Sequence, residues 1–260
     1  MFPTIYHNTY ISLQTLWVFA VAAMLIGSYL AVKRLKRRRV NFTLIIEHST
    51  SFLVSAVLGS RIVYFILNTD AYFPAFDFRT LFNFISIWDQ GFSLWGGVLG
   101  MLSMLTYRIH KEKENIWKWF DALIVPGLLA FMIGNFGAFL GGYSYGNPTD
   151  LPWGVTYHIQ NVRYTVPVHP TQIYAIIAIS LLLWSKFKLK KKTQFFETDG
   201  NTSIYLTTGF SGIYCLLNFF RGDLMLMIFD IRLSMIVSGL LFIISSIYLY
   251  KRYRKYNESI

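Results

Sequence analysis

Most basic residues in this chain fall in a few short clusters, and each cluster closes an apolar stretch. Nineteen of the 24 Lys and Arg residues fall within residues 33–39, 108–118, 186–192 and 251–255. Cytoplasmic loops of membrane proteins carry such an excess of Lys and Arg. Four clusters on one side of a membrane, joined by return passages, require seven crossings. The pattern therefore predicts an all-α integral membrane protein with seven transmembrane helices, its N-terminus outside and its C-terminus inside.

The composition agrees with a membrane protein. Hydrophobic residues make up 54% of the chain and charged residues only 14%, whereas a soluble domain usually contains about 25% charged residues. A net charge of +11 could indicate a nucleic-acid partner. Here the charges flank apolar runs, so contact with anionic lipid head groups is the better interpretation, and no nucleic-acid partner is expected.

Seven apolar runs are long enough to form the crossings, since a bilayer core needs about 20 helical residues. No Lys or Arg precedes the first run, which argues against a cleavable signal peptide and favours a permanent first helix. We expect one polytopic membrane domain over residues 1–260. The runs are Met1–Val32, Val40–Leu67, Gln90–Tyr107, Ala122–Thr149, Tyr164–Ser185, Gly200–Phe220 and Leu233–Tyr250.

Three connecting stretches fall on the predicted outer side, at about residues 68–89, 141–163 and 222–232. The middle stretch is rich in Gly, Pro, Tyr and Asn, which predicts an irregular periplasmic cap. Phe73–Asp89 is strongly aromatic and carries few charges. It is either an amphipathic helix lying in the outer interface or a plain hydrophobic loop, and the sequence leaves both open.

Two arginines lie in or at the end of apolar runs, at the predicted outer level. A charged side chain within a span costs at least about 2.5 kcal/mol, so it usually faces a cavity or a partner. A guanidinium can grip a phosphate with paired N–H donors, which makes Arg61 and Arg221 candidate phosphate ligands. The alternative for Arg221 is snorkelling to the interface. For Arg61 it is a salt bridge to Glu47, but 14 residues of helix separate the two by about 21 Å.

His169 opens the segment His169-Pro170-Thr171-Gln172 at a predicted helix start. It is either a plain helix cap or a hydrogen-bonding or proton-accepting group beside an outer-leaflet site. The five His residues are scattered and no HExxH or CxxC motif occurs, so no metal site is predicted. The single Cys215 excludes an intrachain disulfide, and phosphate-binding glycine loops are also missing from the sequence.

Six outer-side motifs in order resemble the bacterial prolipoprotein diacylglyceryl transferase family over nearly the whole chain. Each motif alone is weak, but all six on a seven-span frame are fairly specific. They are Gly59-Ser-Arg61-Ile-Val-Tyr64, Phe92-Ser-Leu-Trp95-Gly96-Gly97, Gly134-Asn135 to Gly146, Pro148-Thr149-Asp150-Leu151-Pro152-Trp153-Gly154, His169-Pro-Thr-Gln172-Ile-Tyr174 and Phe220-Arg221-Gly222-Asp223.

The resemblance implies transfer of diacylglycerol from phosphatidylglycerol to the lipobox cysteine of a preprolipoprotein, with a thioether product and glycerol phosphate leaving. It implies a multi-pass protein of the bacterial plasma (inner) membrane, with phosphatidylglycerol, preprolipoprotein signal peptides and the bilayer as partners, and no cofactor. By the same resemblance the catalytic residues are Arg221, His169 and Arg61. The substrate-binding residues are Tyr64, Asn135, Gly141, Gly142, Gly146, Gln172 and Asp223.

The chain departs from the family pattern at several polar positions. The family's Gly-Arg-x-Gly-Asn-Phe falls on Gly134 to Phe139, which puts Asn135 at the Arg and Ala138 at the Asn. A shifted register restores Asn135 as the Asn but puts Met132 at the Arg. Trp95 and Ala175 stand where the family has a His or Tyr and a Glu, and the acidic residue expected near Tyr143 is missing.

Three interpretations of the function remain. The chain is an active but divergent transferase, or a catalytically weak relative that binds phospholipid or lipoprotein precursors, or an unrelated polytopic transporter or channel. A transporter would favour inverted repeats and spans broken by Gly or Pro at mirrored positions, and the sequence shows neither.

Overall fold

A computed structural model describes residues 3–7, 12–68, 91–159 and 162–258 of the chain. The described residues are mostly helical, which confirms the predicted all-α class. In chain order the elements are β1 (Thr4–His7), β2 (Ser12–Gln14), α1 (Thr15–Arg37), α2 (Thr43–Glu47), α3 (Ser49–Leu67), α4 (Leu94–Lys111), α5 (Ile116–Gly141), α6 (Thr171–Lys192), a 3₁₀ turn (Gln194–Glu197), α7 (Asn201–Leu217), β3 (Met227–Ile228), β4 (Ile231–Arg232) and α8 (Leu233–Asn257).

Among the described residues, five helices are long and apolar enough to cross a membrane. They are α1, α3, α5, α6 and α8. Helix α4 has 18 residues and ends in Arg108, His110 and Lys111, and helix α7 has only 17 residues. These two helices overlap the residue ranges of the other two predicted crossings, and seven crossings stay a prediction. The chain is therefore an all-α membrane protein.

Basic clusters lie where helices end. The last turn of α1 contains Arg34, Lys36 and Arg37, and the last turn of α6 contains Lys190, Lys191 and Lys192. Cations are favourable there because the carbonyl end of a helix carries partial negative charge. The clusters thus stabilise helix ends in addition to their predicted role in setting membrane orientation.

By its internal contacts the chain divides into two compact units. The first unit comprises Met1–Arg38 and Trp117–Ile260, and the second comprises Arg39–Ile116. In the first unit, Leu128 of α5, Ile179 of α6 and Leu206 of α7 are buried against one another. Helix α8 packs along α7 in the same unit.

The irregular segment between α5 and α6 is longer than the sequence predicts. Helix α5 ends at Gly141, where the predicted outer stretch begins, although the apolar run continues to Thr149, and α6 begins at Thr171 instead of Tyr164. Gly142, with φ +71°, and Ser144, with φ 59°, turn the chain out of the helix. Because these angles suit few residues with side chains, Gly142 favours the helix end at this position. A small core then holds the segment, formed by Tyr145, Tyr157, Val162 and Val168.

The second unit is built on the tight packing of α3 against α4. A Cβ atom added at Gly59 would lie 2.5 Å from the carbonyl oxygen of Gly96 and 2.8 Å from the Cα of Gly100. Small residues allow helix backbones to approach this closely in membranes. These glycines of the predicted family motifs are therefore required for helix packing. Phe73–Asp89 lies outside the described residues, as does the rest of the first predicted outer loop after Asn68.

Candidate functional site

Arg221 follows α7 and is buried, with only 7% of its surface exposed. Its Nε donates a hydrogen bond to Asp223 Oδ1 at 3.0 Å, its Nη2 donates to Asp223 Oδ2, and its Nη1 donates to the hydroxyl of Tyr214 at 2.9 Å. Burial alone would lower the pKa of Arg221, but the bonds to Asp223 and Tyr214 outweigh it, so the pKa is raised. The side chain is fixed and charged, and the snorkelling alternative is wrong.

Arg232 binds the same carboxylate. Its Nη1 donates to Asp223 Oδ1 at 3.1 Å and its Nη2 donates to the carbonyl oxygen of Arg221 at 2.7 Å. We refer to Arg221, Asp223 and Arg232 as the arginine cluster. Two guanidinium groups and one carboxylate leave a net charge of +1, which suits the single negative charge of a phosphodiester. The site prediction omitted Arg232, although it is one of the five basic residues outside the sequence clusters.

Gly146 joins three backbone segments at this site. Its N–H donates to the carbonyl oxygen of His169 at 2.9 Å, and the N–H of Gly222 donates to Tyr145 O at 3.0 Å. A Cβ at Gly146 would lie 2.5 Å from the Cβ of His169 and 2.8 Å from the carbonyl oxygen of Phe220. Only glycine fits there without a backbone shift. The prediction of an irregular loop through Gly146 is confirmed, and this loop brings the His169 and Arg221 segments together.

The side chain of His169 does not cap α6. The N-cap of that helix is Pro170, which makes no side-chain cap bond. The Nδ1 atom of His169 lies 3.2 Å from the hydroxyl of Tyr174, and that hydroxyl also accepts a hydrogen bond from the Nε1 of Trp153 at 2.8 Å. The capping alternative is therefore wrong. His169 is instead the end of a hydrogen-bonded chain of side chains.

Gln172 is fully buried and holds the irregular segment from inside. Its Nε2 donates to the carbonyl oxygen of Tyr143 and lies 3.4 Å from the hydroxyl of Tyr157. Burial raises the pKa of the Tyr157 hydroxyl to about 12, and the hydrogen bond with Gln172 offsets this only in part. These contacts make Gln172 a positioning group for the segment. Its predicted contact with substrate stays a prediction.

Asn135 is engaged within its own helix. Its Nδ2 donates to the carbonyl oxygen of Phe131 at 2.8 Å, and the neighbouring Met132 packs against the apolar core of α5, α6 and α7. Whichever register is used for the family signature, the position of the family's Arg is thus occupied by a helix-bonded amide or a core thioether. Gly141 and Gly142 form the turn that ends α5, and their predicted substrate contacts, like that of Asn135, stay predictions.

Arg61 and Tyr64 meet in the second unit, at the start of the segment before α4. Arg61 is only 3% exposed. Its Nη1 donates to the carbonyl oxygen of Gly91 at 3.2 Å, and its guanidinium carbon lies 4.4 Å from the centre of the Phe92 ring. Gly91 in turn packs against the ring of Tyr64. The sequence makes both Arg61 and Arg221 candidate phosphate ligands, but they belong to different units, so a cavity shared by the two is a prediction.

Comparison of the sequence with known proteins identifies the family of this chain. Residues 3–251 match the family model described as prolipoprotein diacylglyceryl transferase. The chain belongs to this family. A relative from Finegoldia magna, named phosphatidylglycerol–prolipoprotein diacylglyceryl transferase, is 30% identical over 247 residues, which cover 92% of this chain and 90% of the relative. One of the same name from Prochlorococcus marinus (strain MIT 9215) is 29% identical over 219 residues, covering 76% and 72%. The family resemblance predicted from the motifs is confirmed.

Proposed function

We propose that this protein transfers a diacylglyceryl group from phosphatidylglycerol to the lipobox cysteine of preprolipoproteins. The observation that carries the proposal is the buried arginine cluster in a member of this transferase family. Three of the five N–H donors of Arg221 are used by Asp223 and Tyr214. In the described part of the chain this leaves one N–H on each terminal nitrogen of Arg221 for the lipid phosphate.

The reaction defines what the cluster must do. A thioether product requires that the cysteine sulfur bond to the glyceryl carbon, while the bond between that carbon and the phosphate oxygen breaks. The thiol proton is lost, because the thiolate is the nucleophile, and glycerol phosphate leaves with the electron pair of the broken bond. Negative charge therefore grows on the phosphate. Fixed guanidinium donors stabilise this charge without reorganising, and Asp223 holds them in place.

The proposed setting is the bacterial plasma membrane, with seven crossings, the N-terminus outside and the C-terminus inside. Helices α4 and α7 supply the two crossings beyond the five long apolar helices, and the basic helix ends support the orientation. Reporter fusions after Arg39, Lys118, Lys192 and Lys255 should all report the cytoplasm. A single periplasmic result among the four overturns this topology.

The activity is tested with purified protein, phosphatidylglycerol and a lipobox peptide. Release of glycerol phosphate and a mass gain on the cysteine are the expected results, together with rescue of a transferase-depleted bacterium. Arg221→Ala should abolish the release of glycerol phosphate, the mass gain and the rescue. Arg163→Ala serves as the matched control, because Arg163 is an exposed arginine of the irregular segment outside the arginine cluster.

A second candidate function is binding of phospholipid or lipoprotein precursors without turnover. Replacement of family polar groups favours it: Asn135 is bonded to its own helix and Ala138 is buried. In that case no glycerol phosphate is released, while Arg221→Ala still weakens phosphatidylglycerol binding. If Arg221→Ala changes neither release nor binding, both functions are wrong for this site.

A further inference from the structure

The ring of His169 lies at the end of a short chain of hydrogen bonds. Trp153 Nε1 is 2.8 Å from the hydroxyl oxygen of Tyr174, and this oxygen is 3.2 Å from His169 Nδ1. The ring of Phe220 packs edge-on against both partners, with centroids 5.4 Å from His169 and 6.4 Å from Tyr174. The rings of His169 and Tyr174 are therefore held in one arrangement, and Trp153 is joined to them by its hydrogen bond.

The chemistry of the three groups sets the direction of the chain. An indole N–H is only a donor, whereas a phenol has one proton to donate and lone pairs that accept. Within the described residues, Trp153 and His169 are the only hydrogen-bond partners of the Tyr174 hydroxyl, so it accepts from Trp153 and directs its own proton at His169 Nδ1. In a neutral imidazole one nitrogen accepts and the other carries the proton. With Nδ1 as the acceptor, the proton of the neutral ring is on Nε2.

We propose that Trp153 and Tyr174 are positioning residues that hold His169 as its Nε2–H tautomer. His169 then offers a hydrogen-bond donor to an oxygen of the lipid substrate, on the phosphate or on an ester, and is not the base that removes the thiol proton. This inference rests on the proposed function for its substrate. The proposed tautomer is independent of turnover, because it is argued from side-chain contacts and not from the substrate.

The tautomer is measured by nitrogen NMR on protein labelled with ¹⁵N-histidine, at a pH at which the ring is neutral. The His169→Gln variant assigns the His169 signals by their loss. The expected result is a protonated Nε2 and an unprotonated Nδ1. Tyr174→Phe keeps the aromatic packing but removes the hydroxyl, so it should give a mixture of tautomers. A protonated Nδ1 in the unaltered protein, or no change in Tyr174→Phe, overturns the proposal.

The role of the ring is tested with two amide variants. The side-chain nitrogen of His169→Gln reaches about as far as Nε2 and can donate, whereas that of His169→Asn is placed nearer to Nδ1. We expect kcat/KM of the Asn variant to be about 10- to 150-fold below that of the Gln variant, the range for one hydrogen bond to a charged group. Equal and complete loss in both, with unchanged melting temperatures, identifies a base and overturns the donor role.

The donor role of His169 can also be tested if the protein is inactive. If the unaltered protein releases no glycerol phosphate, the proposed function fails, and phosphatidylglycerol affinity replaces kcat/KM as the readout. His169→Asn should then bind vesicles containing phosphatidylglycerol more weakly than His169→Gln. Equal binding by both variants overturns the donor role, and the NMR measurement still decides the tautomer.

Discussion

The first unit contains a fully buried carboxylate, Asp121, and a partly buried one, Asp223, and the two are held in opposite ways. Asp121, in α5, is fully buried and accepts hydrogen bonds from the backbone N–H groups of Gly200 and Ser203 at 2.9 and 2.7 Å. Asp223 is held by the side chains of Arg221 and Arg232. Backbone donors at the start of a helix cannot leave without unfolding it, whereas side-chain donors can also bind a ligand. The comparison indicates a structural charge at Asp121 and a functional one at Asp223.

The surroundings of Asp121 support this division. Gly200 has φ +92° and precedes α7, so Asp121 supplies from another helix the cap that α7 lacks in its own sequence. Arg38 lies 3.5 Å from Asp121 and 3.6 Å from Asp199, which balances the buried charge. Asp121 thus ties α1, α5 and α7 together near one end of each helix.

The largest expected effect is the loss of stability in Asp121→Asn. The amide removes the charge that faces Arg38 and directs an N–H₂ group at a backbone donor. Breaking a buried ion pair by removing one partner typically costs about 3–5 kcal/mol. We expect a clear fall in melting temperature in detergent and a low yield of folded protein.

The matched control for Asp121→Asn is Asp150→Asn, because Asp150 is exposed in the irregular segment. Asp150→Asn should have the same melting temperature as the unaltered protein. If Asp121→Asn also melts normally but loses transfer activity, Asp121 is functional and the division between the two carboxylates is wrong.

The next effect is on the reaction rate rather than on stability. Arg221→Lys keeps a positive charge but loses the planar fork that binds Asp223 and a phosphate at the same time. We expect transfer to fall about 10- to 150-fold, equivalent to about 1.5–3 kcal/mol. The readout is glycerol phosphate release from phosphatidylglycerol.

Asp223→Asn tests the partner of Arg221 in the same assay. It should lower the rate in the same direction, since the arginine cluster loses the carboxylate that orients it. Arg163→Lys should leave the rate unchanged. A melting temperature that falls as far in Arg221→Lys as in Asp121→Asn would show that both charges are structural.

Much of this fold could be predicted because hydrophobic length and basic clusters follow directly from the demands of a bilayer. The ends of α5 and α6 could not be predicted so well. The apolar runs extend into both ends of the segment, over residues 142–149 and 164–170, but Gly142 and Ser144 take positive φ and Tyr145, Tyr157, Val162 and Val168 form their own core. Apolar content alone does not distinguish a packed loop core from a membrane helix.

The candidate site shows the same limit. Arg221 and Asp223 could be found because a charge at the end of an apolar run needs a partner. Arg232 could not be assigned to them from sequence, because its contact depends on the turn at Phe229 and Asp230, both with positive φ, that folds β4 back on β3. The chain from Trp153 to His169 likewise depends on how the irregular segment packs against α6.

A smaller effect is expected from Gly146→Ala. The added methyl group would overlap His169 and Phe220, and overpacking of this kind typically costs about 1–3 kcal/mol. We expect a lower melting temperature and a lower transfer rate together, because the same backbone carries both. Gly127→Ala is the matched control in α5, where no atom lies within 4 Å of the added Cβ. An equal response of the two variants would mean that Gly146 is not a point of close approach.

The smallest effect at neutral pH concerns Tyr157. This buried polar group should have a structural role, like Asp121, and not a functional role, like Asp223. Its pKa is raised from 10.0 to about 12 by burial. The protonated phenol is therefore favoured in the folded state. Its contribution to stability is complete below about pH 10 and is lost as the pH rises toward 12. At neutral pH the free energy of unfolding of Tyr157→Phe should lie within about 1.5 kcal/mol of that of the unaltered protein, the size of one hydrogen bond.

The pH dependence of stability should differ between the unaltered protein and Tyr157→Phe only in alkaline solution. A difference of about two pKa units corresponds to roughly 3 kcal/mol, so the unaltered protein should lose up to that amount of stability as the pH rises from 10 through 12, relative to Tyr157→Phe. Melting curves across this range measure it, and Tyr248→Phe, an exposed tyrosine of α8, is the control. Parallel curves for all three proteins would mean that the Tyr157 hydroxyl ionises as freely as an exposed phenol. The core around Tyr157 would then be open to water, and Gln172 could contact substrate directly.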